Sequence, residues 1–80
     1  MDSNNDFFFS KDLSLSALLY AKGVRLERVN REYKICWFVF SDRHLCESLQ
    51  QQFFSKTVDV NAKEYADAIR TLKHLIFTDN

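Results

Sequence analysis

Residues 33–40 read Tyr-Lys-Ile-Cys-Trp-Phe-Val-Phe. This run of aromatic and β-branched side chains fits a pleated, half-buried surface better than any other stretch of the chain. As a strand it puts Tyr33, Ile35, Trp37 and Val39 on one face and Lys34, Cys36, Phe38 and Phe40 on the other, because successive side chains alternate. Both faces are apolar at the far end. The chain has 80 residues, enough for one covering layer of helices and scarcely enough for a second. Two readings follow. Either a helix packs on each side, or the aromatics curl round the sheet edge, and the strand is hidden. Otherwise one face, that with Trp37, is left for a partner, since large exposed apolar patches mark such sites.

The surrounding elements follow from periodicity and caps. Residues 1–6 are polar and acidic and are expected to be disordered. Phe7, Phe8 and Phe9 make a short apolar run, an edge strand or a docked segment. Asp12 is placed to cap a helix over 13–22, in which Leu15, Leu18, Leu19 and Lys22 share a face. Gly23, the sole glycine, stands where that helix needs a left-handed residue to stop. Residues 24–29 predict a strand that pairs with 33–40 as a hairpin, with Asn30, Arg31 and Glu32 as a polar break. The competing reading is a helix through Leu26, Val29 and Tyr33.

Ser41 or Asp42 caps a second helix over 43–54, striped by Leu45, Leu49 and Phe53 with Cys46 alongside. Residues 57–60 predict a short strand or an extended link. Asn61, with Glu64 three positions on, is a capping-box variant that opens a third helix over 62–77, lined by Tyr65, Ile69, Leu72 and Ile76. Residues 78–80 are expected to fray. The order predicts one compact α+β domain over 7–77: a small antiparallel sheet, a central hairpin plus short strands, packed with three helices.

Composition acts by exclusion. Eleven Lys and Arg against eleven Asp and Glu leave no net charge, while 46% of residues are hydrophobic and 15% aromatic. That is neither a disordered charged tail nor a chain that wraps duplex DNA by bulk charge. The acidic start is the opposite of a secretory signal's basic start, and the longest apolar run, 35–40, is too short to span a bilayer. Two cysteines make no disulfide framework. A cytoplasmic protein with reduced thiols and no membrane partner is therefore expected.

No phosphate-cradling glycine loop, zinc-protease motif or EF-hand loop is present. Cys36, Cys46, His44 and His74 lack the close paired spacing of a zinc site. His44 and Cys46 are two apart at a helix start, so they do not face each other as base and nucleophile. A thiol in a first helical turn is acidified somewhat, unless Cys46 is buried beside Leu45 and Leu49. Asp59, Glu64 and Asp67 read as cap and surface charges. No catalytic residue, metal site or cofactor is expected, and the chain is read as no enzyme.

Two kinds of partner remain. Aromatic anchors carry most interface energy, and Tyr33, Trp37, Phe38 and Phe54 are the candidates here, for a homodimer or a protein target. The alternative is nucleic acid. Lys22, Arg25, Arg28, Arg31 and Lys34 recur every three positions with only Glu27 and Glu32 among them, a footprint for phosphates with Tyr33 to stack a base. A period of three conflicts with a strand's period of two, so no continuous basic stripe follows, and the plainer reading is a solvated hairpin whose charges protect its edge.

Several segments resemble a small family known only as a domain of unknown function, from bacteria and their phages. They are Phe9-Ser10-Lys11-Asp12-Leu13, the leucine-rich stretch 18–23 ending in Gly23, Val39-Phe40-Ser41-Asp42, Phe53-Phe54, Val58-Asp59-Val60-Asn61 and Leu72-Lys73-His74-Leu75-Ile76. The likeness runs over about residues 7–77. Its motifs are core and cap positions, so it implies the fold and brings no catalytic residue. Cys36-Trp37 and Ser14-Leu15-Ser16 depart from the pattern, where plainer aliphatics and a more alanine-rich turn are expected. The resemblance implies an accessory or inhibitor protein of a phage or mobile element.

Overall fold

A computed structural model describes residues 6–77. The expectations for 1–5 and 78–80 lie outside the described residues. Elements run β1 (Phe7–Ser10), α1 (Leu13–Ala21), β2 (Leu26–Glu32), β3 (Ile35–Ser41), α2 (Arg43–Ser55) and α3 (Ala62–Phe77). The three strands form one antiparallel sheet in the order β1-β3-β2. The fold is α+β, with the aromatic run as the central strand, since it alone has a hydrogen-bonded neighbour on each side.

The helices start and stop where side chains can satisfy their free backbone groups. Asp12 Oδ1 accepts from the N–H groups of Ser14 at 2.9 Å and Leu15 at 3.3 Å. Asp42, rather than Ser41, accepts from Leu45 N–H at 3.2 Å, and Asn61 Oδ1 accepts from Glu64 N–H at 3.0 Å. Helix α1 ends as expected at Gly23, whose φ of 91° only glycine adopts without strain. Helix α2 ends on Lys56 at φ 62°, a left-handed position filled without glycine.

Alternation sorts β3 into two unlike faces. Phe38 and Phe40 join Leu15, Leu18 and Leu19 of α1, Cys46 and Leu49 of α2, and Ala68 and Leu72 of α3 in a single buried cluster. Val39 is fully buried but stands outside that cluster. All three helices thus cover the Phe38 side, and the expectation of a helix on each side is overturned. Ser16 Oγ donates to Ser10 Oγ at 2.8 Å and ties α1 to β1 inside this core.

The hairpin departs from the expected boundaries. Glu32 pairs with Ile35, so the turn is the two residues Tyr33 and Lys34. Asn30, Arg31 and Glu32 are not a polar break but the end of β2, paired with Trp37, Cys36 and Ile35. Two-residue hairpin loops need a positive φ, and Tyr33 supplies it at 58°. The helix through Leu26, Val29 and Tyr33 does not form. Strand β2 starts at Leu26, later than expected, and a bulge at Glu27 shifts its register. Residues 57–60 are an extended link without strand pairing.

Candidate functional site

Among the described residues, no helix joins the buried cluster from the sheet face opposite Phe38 and Phe40. Cross-strand partners share a face, so the register places Phe7 and Phe9 of β1, Ile35, Trp37 and Val39 of β3, and Arg28, Asn30 and Glu32 of β2 side by side. Phe9 is 50% exposed and Ile35 41%. Trp37 is half-buried. Its wall with Phe9, Asn30 and Glu32 encloses a shallow cavity of about 250 Å3.

Two cations lie on these rings. The Lys11 ammonium stands 5.6 Å from the Trp37 ring centroid, and the Arg28 guanidinium 5.5 Å from that of Phe7. Arg28 is on β2 and Phe7 on β1, with β3 between them. Its aliphatic arm therefore crosses the central strand and helps to seal Val39, as long cationic side chains do on apolar surface. The face is thus an apolar middle with charged covers.

The four nominated anchors separate. Trp37 lies on the open face. The strand reading put Tyr33 on that same face, but it occupies the turn, fully exposed at the hairpin tip. Phe38 is 1% exposed in the helix-side core and reaches no partner, because the helices chose its face of β3. Phe54 is exposed on α2, its ring edge-on to Phe53 at 5.3 Å, away from the sheet.

The five basic residues do not gather either. Lys22 Nζ donates to the carbonyl of Asp59 at 3.0 Å. Arg25 pairs with Glu27 at 3.3 Å. Arg28 covers Phe7. Arg31 faces the helix side, donating to Cys36 Sγ at 3.2 Å and Leu75 O at 3.3 Å. Lys34 is at the turn. One of the five lies on the open face. Of the residues that sequence reasoning passed over, Asn30 and Glu32 reach Trp37 through the register of a two-residue turn, which a Tyr-Lys pair does not advertise, and Phe9 and Lys11 through the long-range pairing of β1 with β3.

Elsewhere the chemistry is quiet. Burial, with Asp42 and Glu47 nearby, pushes the Cys46 thiol up to about 11; the acidifying effect of a helix start is outweighed by desolvation. The Arg70 and Lys63 side chains that hydrogen-bond Asp67 hold its carboxyl below the usual carboxylate range. Among the described residues no group of three or more His, Cys, Asp or Glu could hold a metal ion, and no helix is long and apolar enough to cross a membrane. A family model described as a domain of unknown function (DUF5659) matches residues 5–78. No curated protein and no solved structure matches the chain.

Proposed function

The chain belongs to the DUF5659 family, a domain of unknown function, and from its own surface we propose that it is a non-enzymatic interaction module whose open sheet face is covered by a second copy of itself. One observation carries the reading. Phe9, Ile35 and Trp37 stand on a sheet face that no helix among the described residues covers, beside a cavity lined by Phe9, Asn30, Glu32 and Trp37. Apolar surface of this kind is stabilised by removal from water. A two-fold pairing of identical faces closes on itself and leaves no open copy of the face for further growth.

The face also carries both signs of charge, Lys11 and Arg28 against Glu32. That mixture suits a self-complementary protein contact better than a phosphate backbone, which Glu32 would repel. The reading takes the protein to act in the cytoplasm with Cys36 and Cys46 reduced; both are free thiols here. An accessory or inhibitor protein of a phage or mobile element, the role implied by the sequence resemblance, would act by contact of this kind.

Gel filtration with light scattering on the wild type and on Trp37→Glu tests it. A wild-type dimer that Trp37→Glu converts to a folded monomer is the expected result. A wild type that stays monomeric at high micromolar concentration removes the reading. If that monomer binds a labelled single strand with a steep salt dependence, the open face serves nucleic acid instead.

A further inference from the structure

A different cavity, of about 300 Å3, opens at the end of the sheet where β1 has run out, β3 begins and α3 stops. The sealed Phe38 and the half-buried Leu13, Cys36 and Ile76 line its interior. The exposed Lys11, Ile35 and Lys34 stand at its mouth. Its charge is one-sided: two lysines line it and no carboxylate does. Among the described residues neither ammonium has a carboxylate partner.

The negative end of the α3 dipole, which would repel an anion here, is covered. One nitrogen of Arg31 donates to the carbonyls of Leu75 and Ile76, and the other to Cys36 Sγ at 3.2 Å. The guanidinium thus sets a third positive charge against the same wall. An apolar interior with cations at its mouth, and without the carboxylate that would pair them, is complementary to a molecule with an apolar body and an anionic end.

We propose that this cavity binds a small amphipathic carboxylate, its apolar chain laid against Leu13, Phe38 and Ile76 and its head held between the Lys11 and Lys34 ammonium groups. The site goes beyond the open-face reading and does not depend on how that face is used. Volume limits the ligand. An apolar cavity of about 150 Å3 holds a benzene ring, so twice that volume takes about a dozen non-hydrogen atoms, those of a ten-carbon fatty acid. A two-chained phospholipid exceeds it. Lys11 gives the site a reporter. Its ammonium stands 5.6 Å from the Trp37 ring centroid, so a carboxylate that draws it away alters the emission of the single tryptophan.

Decanoate titrated into the full chain, followed by tryptophan emission and by amide chemical shifts, tests this. Decanol, acetate and decyltrimethylammonium are the comparison probes: the first lacks the charge, the second the tail, and the third reverses the charge. Saturable binding of one decanoate per chain is expected, with shifts centred on Leu13, Lys34, Cys36 and Ile76. The other three probes should bind at least about tenfold more weakly. Lys11→Glu and Lys34→Glu change exposed side chains, and circular dichroism checks that each variant is folded. Each is expected to weaken decanoate about tenfold and to leave decanol unchanged. Decanoate and decanol that bind alike, with both lysine variants unaltered, would show apolar adsorption alone and overturn the site. Shifts centred on Phe9, Asn30 and Trp37 would put the ligand on the open face and overturn it too. So would the absence of saturable binding up to about 1 mM decanoate.

Discussion

The guanidinium of Arg31, near the end of an edge strand, donates to the carbonyl of Leu75 in the last turn of α3 at 3.3 Å and to that of Ile76 beside it. The last carbonyls of a helix have no partner within the helix, and a cation there also meets the negative end of its dipole. The contact therefore fastens α3 across the sheet while satisfying its C-terminus.

Arg31→Ala is expected to lower stability by about 1 kcal/mol and to speed amide exchange in the last turn of α3. Arg31→Lys keeps the charge but not the planar fork, one nitrogen of which serves both carbonyls while the other reaches Cys36 Sγ, and should recover part of the loss. Thermal melts and hydrogen exchange check both. Exchange in that turn unaltered in Arg31→Ala would mean the contact contributes nothing.

Phe38 and Phe54 should behave oppositely. Phe38 is sealed at 1% exposure, so Phe38→Ala should cost about 3–5 kcal/mol, most of the stability expected of a domain this small. Phe54, 64% exposed, gives up chiefly its edge contact with Phe53, and Phe54→Ala should cost under about 1 kcal/mol. Urea titration of the two variants measures the difference. Equal midpoints would contradict the placement of Phe38 beneath the helices.

Two left-handed positions predict opposite signs. A Cβ added at Gly23 meets nothing within 4 Å, yet φ there is 91°. Gly23→Ala should destabilise by about 1 kcal/mol through backbone strain alone. Lys56 closes α2 at φ 62°, so Lys56→Gly should stabilise by about 0.5–1 kcal/mol. Melting temperatures shifted in the same direction in both variants would refute this.

Cys46 should be silent toward thiol reagents. Its folded pKa is raised from 9.0 to about 11, first by burial and then by Asp42 and Glu47. A group whose folded pKa lies above its unfolded value stabilises the fold fully below the unfolded one. That contribution is lost as pH climbs from about 9 toward about 11. Cys36, which is not fully buried, should react with a chromogenic disulfide at pH 8, and Cys46 only after denaturation. Rapid release of two equivalents from the folded protein would count against a sealed thiol.

The caps were readable because they are local. Asp12, Asn61 and the lone glycine lie within a few residues of the groups they serve, and the third helix runs over 62–77 as its four-residue spacing predicts. The hairpin turn was not readable. Asn30-Arg31-Glu32 is the more polar stretch, while the turn went to Tyr33 and Lys34, an aromatic and a cation with no turn preference of their own. With the turn displaced, Tyr33 left the strand face it was expected to share with Trp37.

The amino-acid order by itself determined the α+β class, the three helices and the extended aromatic run, because propensity, periodicity and capping act over a few residues. Only the tertiary structure decided which side of that run is sealed. The two faces of β3 are similarly apolar, and nothing local distinguishes Phe38 from Trp37. The choice was made by the register that sets Phe8 and Val29 beside Phe40 and Phe38, and by three helices that pool their apolar stripes on that side. What remains on the other side, Trp37 with Phe9 and the ring-covering cations, is the consequence of a chain with one layer of helices and two faces to cover.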